Sequence, residues 1–248
     1  MQQYFIDEKF EYKNFVLSKD DSFHIIKVMR KKVGDKIFIA FSNKERYICS
    51  IEDNKLDGVV VFPVEKVELS TELSVQITIA IPPLKNDKIE YLIQKSTELG
   101  VSEIVLFNSE RNISKIKDSK IESKLTRWNK IAKEAAEQSK RGAIPTISYK
   151  SSINELIYNY GYYDYKIVAY EEEAKNMKNN NLKQLLTQNL ENGKIVAVFG
   201  SEGGLSSKEV NYLNDNGYKS VGLGKRILRA ETAPLFFLSC IAYFVELN

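Results

Sequence analysis

Two short stretches near the C-terminus hold residue types from which a reaction site could be made. Gly200-Ser201-Glu202-Gly203-Gly204-Leu205-Ser206 places three glycines in five positions. Some twenty residues later, Gly224-Lys225-Arg226-Ile227-Leu228-Arg229-Ala230-Glu231-Thr232-Ala233 crowds a glycine, three cations and an acid into one loop. Glycines let a backbone turn tightly and approach a ligand without side-chain clash. A helix starting after Ser206 would aim its free amides at the same place. Glu171, Glu172 and Glu173 form a third concentration of charge. Neither standard nucleotide pattern is present, GxGxxG or GxxxxGKS/T. Each stretch also has a plainer reading, Gly203-Gly204 as a simple turn and the acids as a solvated edge.

Other chemistries are restricted by what is missing. The chain has one histidine, His24, and two cysteines, Cys49 and Cys240, far apart in sequence. That is too little for Cys/His zinc clusters, so no metal is expected. A Ser-His-Asp relay would have to use His24, which falls far from the glycine loops and suits a structural or RNA-facing role. Chemistry must therefore run on Arg, Lys, Glu, Asp, backbone amides and whatever cofactor they hold.

Charge is uneven along the chain. Overall, 36 Lys+Arg stand against 33 Asp+Glu, a net +3. Between Arg111 and Arg141 there are ten basic residues and four acids, a local +6. A second basic knot comprises Lys27, Arg30, Lys31 and Lys32. Clusters of this kind are what phosphate backbones require, because each contact releases a condensed counterion. The alternative is a set of lysines facing solvent from an exposed helix. Trp128 shares a helical stripe with Leu125, Ala132 and Ala135 and reads as core or interface.

The elements that must position these residues fall into two groups. With 248 residues, 43% hydrophobic and 28% charged, the chain suits one large globular domain or two modest ones. In residues 1–70, Tyr4-Phe5-Ile6, Asp35–Phe41, Arg46–Ile51 and Gly58–Val64 are short β-branched and aromatic runs. Turn signals such as Val33-Gly34-Asp35 and Glu52-Asp53-Asn54 separate them. One helix is expected at Asp21–Arg30, capped by Asp20 or Asp21, with Phe23, Ile26 and Met29 on a shared face. These elements suggest a small β-barrel, a shape often used to hold nucleic acid. Glu65–Ser74 would be the link to a second domain.

From residue 75 to 248, strands and helices alternate. Val75–Ile81, Glu103–Phe107, Lys166–Tyr170, Lys194–Phe199 and Lys219–Leu223 are apolar runs of the kind buried on both faces of a parallel sheet. A helix over Asp87–Leu99 puts Ile89, Leu92, Ile93 and Leu99 on one stripe, with Gly100 as its left-handed C-terminal cap. Ser152 with Glu155, and Ser206 with Glu209, are spaced as capping boxes. Thr232, with Pro234 in the next turn, begins the last helix. Lys175–Asn181 is a low-complexity patch. In such an open α/β sheet, ligands bind beyond the carboxyl ends of the strands, where both glycine-containing loops and the acids fall.

The N-terminus lacks the basic start and apolar core of an export signal. Ala233–Val245, the longest largely apolar stretch, has 13 residues and reads as a buried helix too short to span a bilayer. With no disulfide pattern either, no membrane is implied and the cytoplasm is the expected address.

The strings FGSEGGLSSKEV and LGKRILRAETAPLFF resemble the RsmE family of SPOUT methyltransferases. The likeness extends through LKNDKIEYLIQKSTELGVSEIVLFNSERN, RWNKIAKEAAEQSKRGAIPTI and the early HIIKVMRKKVGDKI, covering nearly the whole chain in order. The resemblance implies S-adenosylmethionine-dependent methylation of N3 of a uridine in small-subunit ribosomal RNA. It implies an N-terminal PUA-like barrel and a C-terminal α/β SPOUT domain, with a trefoil knot and cofactor site over about residues 166–248. Knots are otherwise nearly absent from proteins, and nothing in the hydrophobic pattern points to one. It also implies a homodimer acting on small-subunit ribosomal RNA, free or in an assembled 30S subunit. Carried over by motif, the cofactor pocket would comprise Tyr170, Phe199, Gly200, Glu202, Gly203 and Gly204. Leu223, Gly224, Ile227, Leu228 and Thr232 would complete it. Ser201 and Lys225 stand where many relatives have proline.

Methyl transfer from a sulfonium needs alignment of donor carbon and acceptor nitrogen rather than a metal. Uridine N3 must lose a proton to become nucleophilic, so a base or a cation facing the anion is required. Arg229 is the candidate for that cation, or for gripping the target phosphate. Glu231 would orient Arg229 or cap the last helix, and Glu202 is a candidate base or orders its own loop. The target base would be splayed from its RNA context. Arg30, Lys31, Arg111, Arg127, Lys133 and Arg141 are candidates for holding that RNA. Two other functions fit the same residues: methylation of transfer RNA, and a non-catalytic RNA-binding role in ribosome assembly.

Overall fold

Alternation of side chains along five strands builds the N-terminal part of the molecule. The computed structural model describes residues 1–85, 87–112, 114–172 and 181–247. Strands β1 (Gln3–Ile6), β2 (Phe15–Val16), β3 (Lys36–Phe41), β4 (Arg46–Lys55) and β5 (Gly58–Lys66) form one sheet in the order β1-β3-β4-β5-β2. The β1–β3 pair is parallel and the others are antiparallel. Tyr4, Phe15, Ile37, Ile39, Phe41, Tyr47, Cys49, Ile51, Val59 and Val61 meet in one core. Side chains from all five strands reach it, so the sheet curls around it as a barrel does. Burial pushes the Cys49 thiol up to about 12, so it stays protonated at neutral pH and packs as a small apolar group.

Three local expectations change here. The helix starts earlier, as α1 (Lys19–Phe23), and its cap is Ser18. The Ser18 hydroxyl accepts the Asp21 N–H at 3.1 Å and donates to the Asp21 carboxylate at 2.8 Å. The chain then winds into a π-helical turn, His24–Val28, which rotates the buried face. Ser22 and Ile25 are buried, whereas Phe23 and Met29 are exposed. Secondly, Glu52–Asn54 is no turn. β4 continues to Lys55 through a register shift between Ile51 and Asp53, which absorbs Glu52. Thirdly, β5 runs through Lys66, into the segment expected to be a link.

The rest of the chain is a parallel sheet covered on both faces. Strands β6 (Gln76–Ile81), β7 (Glu103–Phe107), β8 (Thr146–Lys150), β9 (Tyr165–Ala169), β10 (Lys194–Val198) and β11 (Lys219–Val221) lie in the order β11-β9-β10-β6-β7-β8. Every pair is parallel. Helices α2 (Lys88–Glu98), α3 (Ile121–Gln138), α5 (Asn181–Leu185) and α7 (Thr232–Leu247) contribute to the core on one face. Helices α4 (Ile153–Tyr160) and α6 (Ser207–Asp215) cover the other face. Trp128 is buried with Ala132 in the first of these cores. Gly100, at φ +88°, closes α2 as expected. Strand β8 is unforeseen because only Ile147 in it is buried, as at a sheet edge.

The chain forms two compact units, one of Met1–Glu72 with Ala136–Ala143 and another of Leu73–Ala135 with Ile144–Asn248. In the first unit, Arg46 donates to the carbonyls of Lys140 and Leu69, and Gln3 Nε2 donates to the Arg141 carbonyl at 2.6 Å. The Arg141 guanidinium pairs with Glu72 at 2.5 Å. His24 Nδ1 lies 3.0 Å from the Tyr4 hydroxyl, a structural placement. Among the described residues, no helix is long and apolar enough to cross a membrane.

Candidate active site

Strand ends β9, β10 and β11 are neighbours in the sheet, so the loops leaving them converge. Between these loops lies a cavity of ≈ 780 Å³, within the range typical of sites for small organic ligands. Its walls include Tyr170, Glu171 and Glu172 after β9, the 199–205 backbone after β10, and Leu223 with Lys225–Ala230 after β11. Glu173 and most of Lys175–Asn181 lie outside the described residues.

The glycine loop is shaped by its own packing. A Cβ on Gly200 would stand 2.7 Å from Gly204 backbone atoms, and one on Gly203 would stand 3.0 Å from the Arg111 carbonyl oxygen. Gly204 has φ +70° and meets no atom within 4 Å of its missing Cβ, so its bare backbone faces open space. That arrangement suits a ligand pressed against main chain. Ser206 then starts α6 with a complete capping box, its hydroxyl accepting the Glu209 N–H while Glu209 accepts the Ser206 N–H at 2.8 Å. The other Glu209 oxygen accepts the Glu110 N–H at 2.9 Å. The Ser152–Glu155 box is only half formed, because Glu155 turns instead to Ser151.

Of the residues expected around a cofactor, Tyr170, Phe199, Gly200, Glu202, Gly203, Gly204, Leu223, Ile227 and Leu228 line the cavity. Gly224, at φ +96°, shapes its loop without lining it. Thr232 is outside too, its N–H bonded to the Arg229 carbonyl at 2.9 Å. Arg229 lines the cavity, and its guanidinium has no ion-pair partner among the described residues. Glu231 neither lines the cavity nor orients Arg229, since its carboxylate lies 3.3 Å from Lys88 Nζ. Glu202 accepts the Lys85 N–H at 3.2 Å and lies 3.7 Å from the same Lys88 ammonium, which favours the loop-ordering role.

The candidate RNA residues separate. Arg30 is exposed at φ +52°, Lys31 sits 3.9 Å from Asp35, and Arg127 is exposed and pairs with Glu90 at 2.7 Å. Lys133 is half-buried on α3. Arg111 belongs to the cavity itself, its Nη1 donating to the Leu205 carbonyl at 3.4 Å. Arg141 corrects the expectation: only 3% exposed and held by Glu72, it is a buried strut and not a surface cation. Lys88 was missed, although a lysine in the first turn of a helix opposes the helix dipole and so signals another purpose. Among the described residues, no group of His, Cys, Asp and Glu is placed to hold a metal ion.

A family model for an RNA methyltransferase domain matches residues 71–242, and one for an RNA methyltransferase PUA domain matches residues 17–62. The chain is 36% identical to ribosomal RNA small subunit methyltransferase E of Bacillus subtilis, over 100% of this chain and 98% of that protein. A crystal structure of a protein called hypothetical superposes with a TM-score of 0.90 at 35% identity, covering 99% of both chains. A Neisseria gonorrhoeae ribosomal RNA small subunit methyltransferase E bound to S-adenosyl methionine has the same fold, with a TM-score of 0.80 at 23% identity over 96% of this chain and 95% of that one. The chain belongs to the ribosomal RNA small subunit methyltransferase E family of RNA methyltransferases.

Proposed function

We propose that this chain transfers a methyl group from S-adenosylmethionine to N3 of a uridine in small-subunit ribosomal RNA. The observation that carries the reading is the cavity at the ends of β9, β10 and β11, with bare glycine backbone on one side and cations on the other. The cofactor supplies an electrophilic methyl group on a sulfonium. The glycine loop would grip it through main chain, where Gly200 and Gly203 leave no room for side chains. Among the described residues, five cations line the cavity, Lys88, Arg111, Lys225, Arg226 and Arg229, against three acids, Glu171, Glu172 and Glu202. That excess suits a polyanionic substrate. Arg229 would face the uridine and stabilise the anion left when N3 loses its proton.

Arg30, Lys31, Arg127 and Lys133 are proposed to hold flanking RNA, with residues 1–70 as an RNA-binding barrel. We also propose that residues 166–248 are knotted and that the chain is a homodimer. Helix α7 is apolar around most of its circumference, yet Tyr243 is 60% and Leu247 76% exposed, which supports coverage by a second copy. The assembled subunit and the cytoplasm are the proposed substrate and address.

The test is tritium transfer from labelled S-adenosylmethionine to small subunits lacking the modification, followed by mass-spectrometric mapping of the nucleotide. Label at uridine N3 is expected; label on transfer RNA, or none alongside tight RNA binding, would point to the other two functions.

A further inference from the structure

Three separate segments of the chain meet at Lys88. It is the first residue of α2, where a cation opposes the positive end of the helix dipole. Two carboxylates face its ammonium, Glu202 Oε1 from the glycine loop at 3.7 Å and Glu231 Oε2 from the start of α7 at 3.3 Å. The Glu231 side chain is only 13% exposed, and its Oε2 is buried without a hydrogen bond, leaving Lys88 as the cation that compensates it. Glu202 is held a second time to the same segment, through the Lys85 N–H.

The position of this bridge matters because of what it connects. Among the described residues, no hydrogen bond joins loop 199–206 directly to loop 222–231, although both wall the cavity. Their polar connection runs from Glu202 through Lys88 to Glu231. We infer that Lys88 is a positioning residue: by bridging Glu202 and Glu231 it sets the separation of the two cofactor loops, and with it the alignment of methyl donor and acceptor. The inference rests on the proposed methyltransferase reading for its catalytic consequence, but not for the bridge itself. Misalignment by about 1 Å at such a site lowers turnover roughly 100-fold.

The experiment compares wild type, Lys88→Met, Lys88→Arg and Glu231→Gln in the full-length chain. Without cofactor, amide hydrogen exchange over 199–206 and 222–231 should accelerate in Lys88→Met and Glu231→Gln, and remain near wild type in Lys88→Arg. Unchanged exchange in both charge-removing variants overturns the bridge. With S-adenosylmethionine and RNA, Lys88→Met should weaken cofactor binding by calorimetry and lower kcat by about 100-fold, leaving the KM for RNA within about twofold. Recovery in Lys88→Arg is the readout that a mere packing role would not give. A change confined to RNA KM would make Lys88 a substrate contact and overturn the positioning role. A wild-type chain that binds no S-adenosylmethionine, but whose loops loosen in Lys88→Met, would remove the methyltransferase reading and keep the bridge. Should Lys88→Met not fold, Glu231→Gln carries the same comparison with the side-chain shape retained.

Discussion

The two walls of the cavity are built on opposite principles. On the β10 side, the glycine loop is tied at every turn: Gly204 bonds to Ser201 at 2.9 Å, Gly203 sits against Arg111, and Glu209 holds both Ser206 and Glu110. On the β11 side, Lys225, Arg226 and Arg229 have no ion-pair partners among the described residues, and Ile227 is 77% exposed. A wall with its donors and acceptors already fixed suits a ligand of constant shape, because little order is lost on binding. A wall of unpaired long cations suits a polyanion, for which side-chain freedom is a small cost against counterion release. The difference teaches that one cavity can divide two tasks between backbone and side chain.

Substitutions on each wall should therefore fail in different ways. Arg229→Ala is expected to lower single-turnover methyl transfer by about 100–1000-fold, the scale of losing one transition-state donor, while S-adenosylmethionine affinity by calorimetry stays within about twofold. Equal losses in both would erase the distinction between the walls. Gly200→Ala should act on the other side, weakening cofactor binding about 10–100-fold, because backbone clash of this kind costs about 1–3 kcal/mol. Cofactor affinity left intact by that alanine would mean the loop yields easily. Glu209→Gln tests rigidity itself: thermal melting should drop, since weakening charge-assisted bonds to two backbone N–H groups, that of Ser206 buried, costs about 1–3 kcal/mol. The smallest effect belongs to Lys225→Ala, which should weaken RNA binding a few-fold and reduce the slope of log K against log salt by about 0.7, the value of one single-strand phosphate contact, without touching cofactor affinity.

Much of this was legible in the residues, for identifiable reasons. Strands β6, β7, β9 and β10, inside the sheet, announce themselves because burial on both faces demands continuous apolar runs. The edge strand β8 has no such demand, and its sequence, TISYK, is correspondingly mute. The π turn after Phe23 was unreadable because one extra residue in the winding moves the apolar face, and no local residue type requires it. Both glycine-containing loops were identifiable from composition, since only glycine fits the close approach at Gly200 and glycine adopts most readily the positive φ at Gly204 and Gly224. Charge was less informative. Arg141 and Arg127 are equivalent in a count, yet one is sealed against Glu72 and the other lies open beside Glu90. Partners distant in sequence decide that, as they do for Lys88.

The barrel's attachment to residues 136–143 bears on the order in which the molecule can be completed. Its five strands are finished by Lys66, and synthesis releases them first. Glu72, however, meets Arg141 only 69 residues later, and Gln3 waits 138 residues for its carbonyl partner. As the chain emerges, β6, β7 and α3 must therefore appear before the unit ahead of them can close. The part made first is sealed in the middle of making the second, so the two halves of this molecule are born interleaved.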